Sequence, residues 1–296
     1  MQRKQSPVYC CVLILPFHLK QDVSVNGGQV VHAGLSLLFL LSAMSGVSAA
    51  EDDVDELARK VSNPASFMIS VPVHSDFDIG RWGGDDTYSA TLDIEPVIPF
   101  ALNDDWNMIS HTDFPIVYND PIGTPGGKLG LGDISQNLSF TPARHGPLIW
   151  AFGPEFSFPT ATDDRFGTGK LSIGPSGLLL LQTKSMSLGL SASHLWSVAG
   201  AADRPRVSQT ELQPFVAWHI GGGKTISANL DFNYDWVESD YTLPVSLSFS
   251  QIVKVGEQTL SLSLGAKYYI EGADDGPQWG IKAGVTFLFP QKTPMQ

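Results

Sequence analysis

Two glycine-rich stretches end in lysine, Gly167-Thr-Gly-Lys170 and Gly221-Gly-Gly-Lys-Thr225, and a phosphate-cradling loop is the first chemistry to test on them. Such a loop needs a glycine five residues before the Gly of its Gly-Lys pair, and a hydroxyl after the lysine. The first stretch has Asp164 and Leu171 at those places, and the second has Trp218 where the glycine should stand. No helical pattern follows either one. Both are turns between strands.

Nucleophilic chemistry would need a hydroxyl activated by a histidine. His74, His111 and His194 fall in strand-like segments, and His194 shares a face with Leu190 and Trp196. That face is apolar, so a lipid hydrolase carried on the wall is a conceivable but remote reading. No sequence pattern ties His194 to a nucleophile, and a triad is recognised by geometry. No catalytic residue is assigned. Metal chemistry is equally thin: there is no His-Glu-x-x-His, and Cys10 and Cys11 are the two cysteines. The acidic pairs Asp163-Asp164 and Asp274-Asp275 resemble calcium-binding loops in composition, but solvated turns explain them as well. Neither a metal nor a cofactor is expected.

The elements that would position these groups are strands. In Trp279–Phe289 every odd position is apolar, while Gly280, Lys282, Gly284 and Thr286 are small or polar and Leu288 breaks the rule. A period of two is a strand with one oily and one wet face. Ile226, Ala228, Leu230, Phe232, Tyr234 and Trp236 alternate in the same way with Ser227, Asn229, Asp231, Asn233 and Asp235. From residue 65 onward about twelve such segments follow one another, near 66–80, 87–101, 106–118, 131–141, 148–161, 170–181, 186–199, 208–219, 225–236, 241–254, 259–270 and 279–290. Most have the length of a tilted membrane strand. The expected fold is all-β: a transmembrane antiparallel up-and-down β-barrel of about 12 strands.

Connections support it. Those at 103–105, 143–147, 182–185, 220–224 and 255–258 are short, whereas those at 81–86, 119–130, 162–169, 200–207 and 271–278 are mostly longer and acidic, with 237–240 breaking the rule. Short turns at one end and long loops at the other place the chain in a bacterial outer membrane with both termini periplasmic. On that topology Phe100, Trp106, Trp150, Trp218 and Phe289 gather at the periplasmic ends, and Tyr88, Tyr118, Trp196, Trp236, Tyr241 and Trp279 at the external ends. Two aromatic girdles result, which a secreted β-sandwich would lack.

The N-terminal region is organised differently. Residues 33–43 are an apolar run followed by Val47-Ser48-Ala49-Ala50, which reads as a signal-peptide core with cleavage near 49/50, so 1–50 is a presequence. Val54, Leu57, Ala58 and Val61 are spaced for a short amphipathic helix in a periplasmic segment, 51–64, ended by Asn63-Pro64. That helix is a solvated tail, a plug or a partner-binding element. Residues 65–290 form the barrel and 291–296 a tail. The whole chain carries a net charge of −12, and from Glu51 onward 15 basic and 29 acidic residues leave −14, a poor match for nucleic acid.

Several motifs recur together: Pro96-Val-Ile-Pro-Phe100, Trp106-Asn-Met-Ile-Ser110, Gly130-Leu-Gly-Asp-Ile134, Gly153-Pro154 and Phe158-Pro-Thr-Ala-Thr-Asp-Asp164. Gly174-Pro175, His194-Leu-Trp-Ser-Val-Ala-Gly200, Leu212-Gln-Pro-Phe215, Tyr234-Asp-Trp236 and Gly276-Pro-Gln-Trp-Gly280 complete the set. In this order they resemble a family of outer-membrane β-barrel transporters, some linked to the meta-pathway of phenol degradation. The resemblance implies passage of small, including aromatic or hydrophobic, compounds, and brings no catalytic set. His111 stands where many relatives carry arginine. A terminal strand ending on Phe289 resembles the signal read by the barrel-assembly machinery, and outer-membrane lipid and lipopolysaccharide are the other expected partners.

Taking each polar face inward gives the expected pore lining: His74, Asp76, Asp93, Glu95, His111, Asp113, Asp133, Glu155, Glu211, Asp231, Asp235, Lys267 and Lys282. Acids outnumber bases, so an open lumen would favour cations. The expected activity is passive passage of a small-molecule solute. The competing reading is a filled barrel that binds lipopolysaccharide or a partner through its external loops.

Overall fold

Alternation decides the architecture. In the computed structural model, residues 51–82, 85–120, 127–272 and 276–289 are described. The presequence, the 291–296 tail and the Asp274-Asp275 pair lie outside these residues. After one helix, α1 (Glu51–Val61), come β1 (Ile69–Trp82), β2 (Asp85–Ile94), β3 (Val97–Ala101), β4 (Trp106–Asp120), β5 (Lys128–Leu131), β6 (Ile134–Pro142), β7 (Leu148–Phe158) and β8 (Lys170–Gln182). The chain continues through β9 (Met186–Gly200), β10 (Ser208–Gly221), β11 (Lys224–Leu230), β12 (Phe232–Asp235), β13 (Asp240–Val255), β14 (Gln258–Glu271) and β15 (Pro277–Phe289). All pairings are antiparallel, and β15 pairs with β1 to close the sheet. The pairs β2/β3, β5/β6 and β11/β12 are each one wall strand interrupted midway, so the wall has 12 strands.

Prolines cause the interruptions. Proline has no N–H to give to a ladder. Pro72 and Pro96 flank the gap between β2 and β3, where the Glu95 N–H donates to the Pro72 carbonyl. Pro244 faces Asp231 between β11 and β12 while Pro214 faces the preceding Leu230, and neither gap changes the register. At Gly132-Asp133 the register against β4 slips by one residue, the signature of a bulge beside Pro115. Across the β7–β8 ladder Pro154 faces Pro175. The adjoining Gly153 and Gly174 bring the Leu138 and His194 carbonyls closer than any Cβ would permit.

The outer face is apolar. Phe77, Phe114, Phe152, Leu179, Leu190, Leu247 and Ile281 are all exposed, together with Trp150, Trp196, Trp218, Trp236 and Trp279. So continuous an oily surface is a lipid-facing one. Trp106 meets Trp150 edge-on at 5.7 Å at the short-turn end, and Tyr88 meets Tyr118 at 5.9 Å at the long-loop end.

The sequence places the first strand near residue 66; the structure begins it at Ile69. Residues 62–68 instead run across the barrel mouth at the short-turn end. Ala65 packs with Ile149, Ala151 and Leu180 on β7 and β8, while Met68 packs with Ala58, Ile252 and Leu288. The oily stripe of α1 (Val54, Leu57, Ala58, Val61) joins the second cluster. Burial of these side chains, each worth about 1.5–3 kcal/mol when complete, outcompetes three more residues of ladder.

Candidate functional site

The inner face of the wall carries most of the polar strand side chains, and α1 with 62–68 covers it at the short-turn end. Two polar contacts fix that boundary. The Gly223 N–H donates to Asp55 Oδ1 at 2.7 Å, and Gln182 Nε2 donates to the Arg59 carbonyl at 2.9 Å. Gly223 has φ of 70°, and a Cβ there would press on Val54 and Ile252. The glycine-rich turn at 221–225 therefore seats the helix. Within α1, the Lys60 ammonium 2.6 Å from Glu56 holds that carboxyl below its ordinary range.

Two chambers above the boundary share part of their lining. The first, of about 450 Å³, is lined by Asp93, Glu95, Asp113, Glu155 and Glu211, with His111, Asn137, Ser176, Ser193 and Gln213. Among the described residues, no lysine or arginine is in its lining. The second, of about 370 Å³, combines hydroxyls (Ser70, Ser227, Ser248, Ser250, Ser261, Ser263 and Thr286), His74 and Lys60 with apolar Met68, Val97, Phe215 and Val216. Pro64, Glu95, His111 and Gln213 belong to both linings, so these four residues border both spaces. His111 Nε2 lies 3.0 Å from Glu95 Oε2, and His74 Nδ1 lies 3.5 Å from Glu95 Oε1.

Of the residues expected in the lining, His74, Asp93, Glu95, His111, Asp113, Glu155 and Glu211 line the chambers. Asp76, Lys267 and Lys282 form an ionic clasp beside them. Lys267 Nζ is 3.0 Å from Asp78 Oδ2 and 3.7 Å from Asp76 Oδ1, and Lys282 Nζ is 3.7 Å from Asp76 Oδ2. Asp231 accepts from Gln213 Nε2 at 2.5 Å. Asp133 accepts from the Ala161 and Thr168 N–H groups and from the Thr168 hydroxyl, holding the 159–169 connection. Asp235 caps its own turn, accepting from the Val237 and Glu238 N–H groups. Asp133 and Asp235 are in neither lining.

Sequence reasoning passed over Asp78, which shares the parity of His74 and Asp76. It also passed over His219, whose Nε2 is 3.0 Å from Ser187 Oγ and whose Nδ1 is 3.2 Å from Thr225 Oγ1. The signal for the docked segment was Leu288. It is buried on the inner face, as are Ile149 and Leu180, and an apolar residue on a wet face at one end of a barrel needs a cover.

His194 stands on the outer face, its ring centroid 4.1 Å from that of Trp196. Its Nδ1 is 2.7 Å from Thr210 Oγ1, which also accepts from Trp236 Nε1 at 2.8 Å. Among the described residues, His194 Nε2 has no partner. A histidine acting as general base needs a third group to orient it, and that group is missing among the described residues.

No protein-family profile and no curated protein matches the chain. Solved structures do. An outer-membrane channel from Pseudomonas putida F1 aligns with TM-score 0.60 at 11% identity, covering 77% of this chain and 99% of that one. The NanC porin aligns with TM-score 0.51 at 12% identity, covering 73% of this chain and 98% of that one. At such identities the likeness is one of fold: a closed antiparallel barrel of the outer-membrane kind.

Proposed function

We propose that this chain is a passive outer-membrane channel for small solutes, with a lumen that prefers cations. The observation that carries the reading is the first chamber, where, among the described residues, five carboxylates face one space with no lysine or arginine in the lining. The lumenal lysines do not offset them, because Lys267 and Lys282 are already engaged by Asp78 and Asp76. Carboxylates inside low-dielectric walls raise the local concentration of cations and repel anions. The similarity in fold to an outer-membrane channel and a porin supports passage without an energy-coupling step. In this reading the short turns and both termini are periplasmic, as the alternation of short and long connections implies. The resemblance to transporters linked to phenol degradation adds aromatic compounds as candidates. The carboxylate and hydroxyl walls of the chambers speak more directly for polar ones.

Reversal potentials in a KCl gradient test the acidic lumen. Glu155→Gln with Glu211→Gln should lower the cation-to-anion permeability ratio by about twofold or more. An unchanged ratio would contradict the role given to these carboxylates.

A further inference from the structure

Four residues border both chambers. Three of these are unremarkable in charge: Pro64 from the N-terminal segment, the Gln213 amide, and the His111 ring when neutral. The fourth is Glu95, and each of its oxygens meets a different imidazole, His74 at 3.5 Å and His111 at 3.0 Å. The Glu95 side chain is 23% exposed, and those of His74 and His111 are 39% and 43% exposed. Lumen water therefore reaches both rings, and protons can exchange with them.

We propose that this His-Glu-His neck is the selectivity point of the channel and that proton occupancy of its two imidazoles sets the sign of its charge; the proposal rests on the passive-channel reading. With both rings neutral the neck carries a single negative charge. With both protonated it carries a net positive one. Imidazole changes charge near pH 6.5 when unperturbed, within reach of ordinary environmental acidification. In a narrow low-dielectric passage a reversal from net negative to net positive turns a cation well into a cation barrier.

Other titratable groups face the neck and must be separated from it. Asp76 on β1, Asp93 on β2, Asp113 on β4 and Glu155 on β7 surround the two rings, and Lys60 reaches the second chamber from α1. None is an imidazole, so replacing the two histidines leaves every one of them in place.

The test uses the full chain in planar bilayers under a KCl gradient, at about pH 7.5 and about pH 5.5, on either side of the imidazole range. For the wild type, the cation-to-anion ratio should fall about threefold or more on acidification. In His74→Gln with His111→Gln that fall should disappear, and Glu95→Gln should lower the ratio already at the higher pH. If the double histidine variant still loses its preference on acidification, the carboxylates of the chambers are responsible and the neck proposal is overturned. A wild-type ratio that is cation-preferring but indifferent to pH also overturns it, leaving the channel itself intact. A folded barrel that stays silent at both pH values contradicts the channel reading, and the neck falls with it.

Discussion

Lys267 is 9% exposed, and its ammonium reaches Asp78 two strands away, across β15. The strand between contributes Gly280 at the crossing, opposite both Lys267 and Asp78. A Cβ at Gly280 would collide with the Asp78 carboxylate, so the glycine is what lets the ion pair span the seam where the first and last strands meet. Removing one partner of a buried pair strands the other charge, at a cost of about 3–5 kcal/mol, whereas removing both costs far less. Lys267→Met should therefore lower the urea midpoint of the folded barrel sharply, and Lys267→Met with Asp78→Leu should recover most of the loss. Equal midpoints for the single and double variants would show that the clasp does not couple these side chains. Asp76, Lys267 and Lys282 were legible in the sequence as inward residues, because parity alone assigns a face. Their pairing was not, since it depends on register between strands, and register comes from loop lengths and bulges that parity cannot reveal.

The same limit separates what could and could not be read of the connecting elements. The helical spacing of Val54, Leu57, Ala58 and Val61 announces α1, but its docking surface is spread over the distant Ile252 and Leu288. If Gly223 seats the helix as argued, Gly223→Val should unseat it and make 51–61 readily cleaved by protease in an otherwise folded barrel. Protection equal to the wild type would contradict that seat. At the long-loop end the 159–169 connection is tied down by Asp133 and by Arg204, which donates to the Asp164, Gly167 and Thr168 carbonyls. The Lys128 ammonium and the Arg165 guanidinium beside Asp163 hold its carboxyl well below the usual carboxylate range. A depressed value means the tie contributes wherever the pH is above the ordinary carboxylate range and is lost as the pH drops through the lowered one. The connection should thus resist proteolysis unchanged from about pH 8 to about pH 5, while Asp163→Asn should be cut faster throughout and the difference should shrink at high salt. A wild type that opens already at about pH 5 would contradict this ordering.

For the molecule as a whole, composition and alternation were enough to reveal the barrel, its strand count and the outward aromatics, because a lipid-facing wall leaves little choice at every second residue. They could not reveal the interior. Whether acids on twelve strands pair, fill or line a path depends on which of them face one another, and Asp133 and Asp235 went to turns while Asp93, Glu155 and Glu211 came to one chamber. The N-terminal segment adds a further condition, for Pro64 borders both chambers. Removal of residues 51–68 should widen the path there and raise unit conductance. The most direct test of the account is single-channel recording of the refolded chain from residue 51, its folding verified by a heat-modifiable gel shift, in a planar bilayer under a KCl gradient. The account predicts discrete openings with a reversal potential on the cation side, larger in the chain lacking 51–68. Silence from both folded proteins would contradict it, and would mean that the acids of the lumen fill the barrel instead of lining a path.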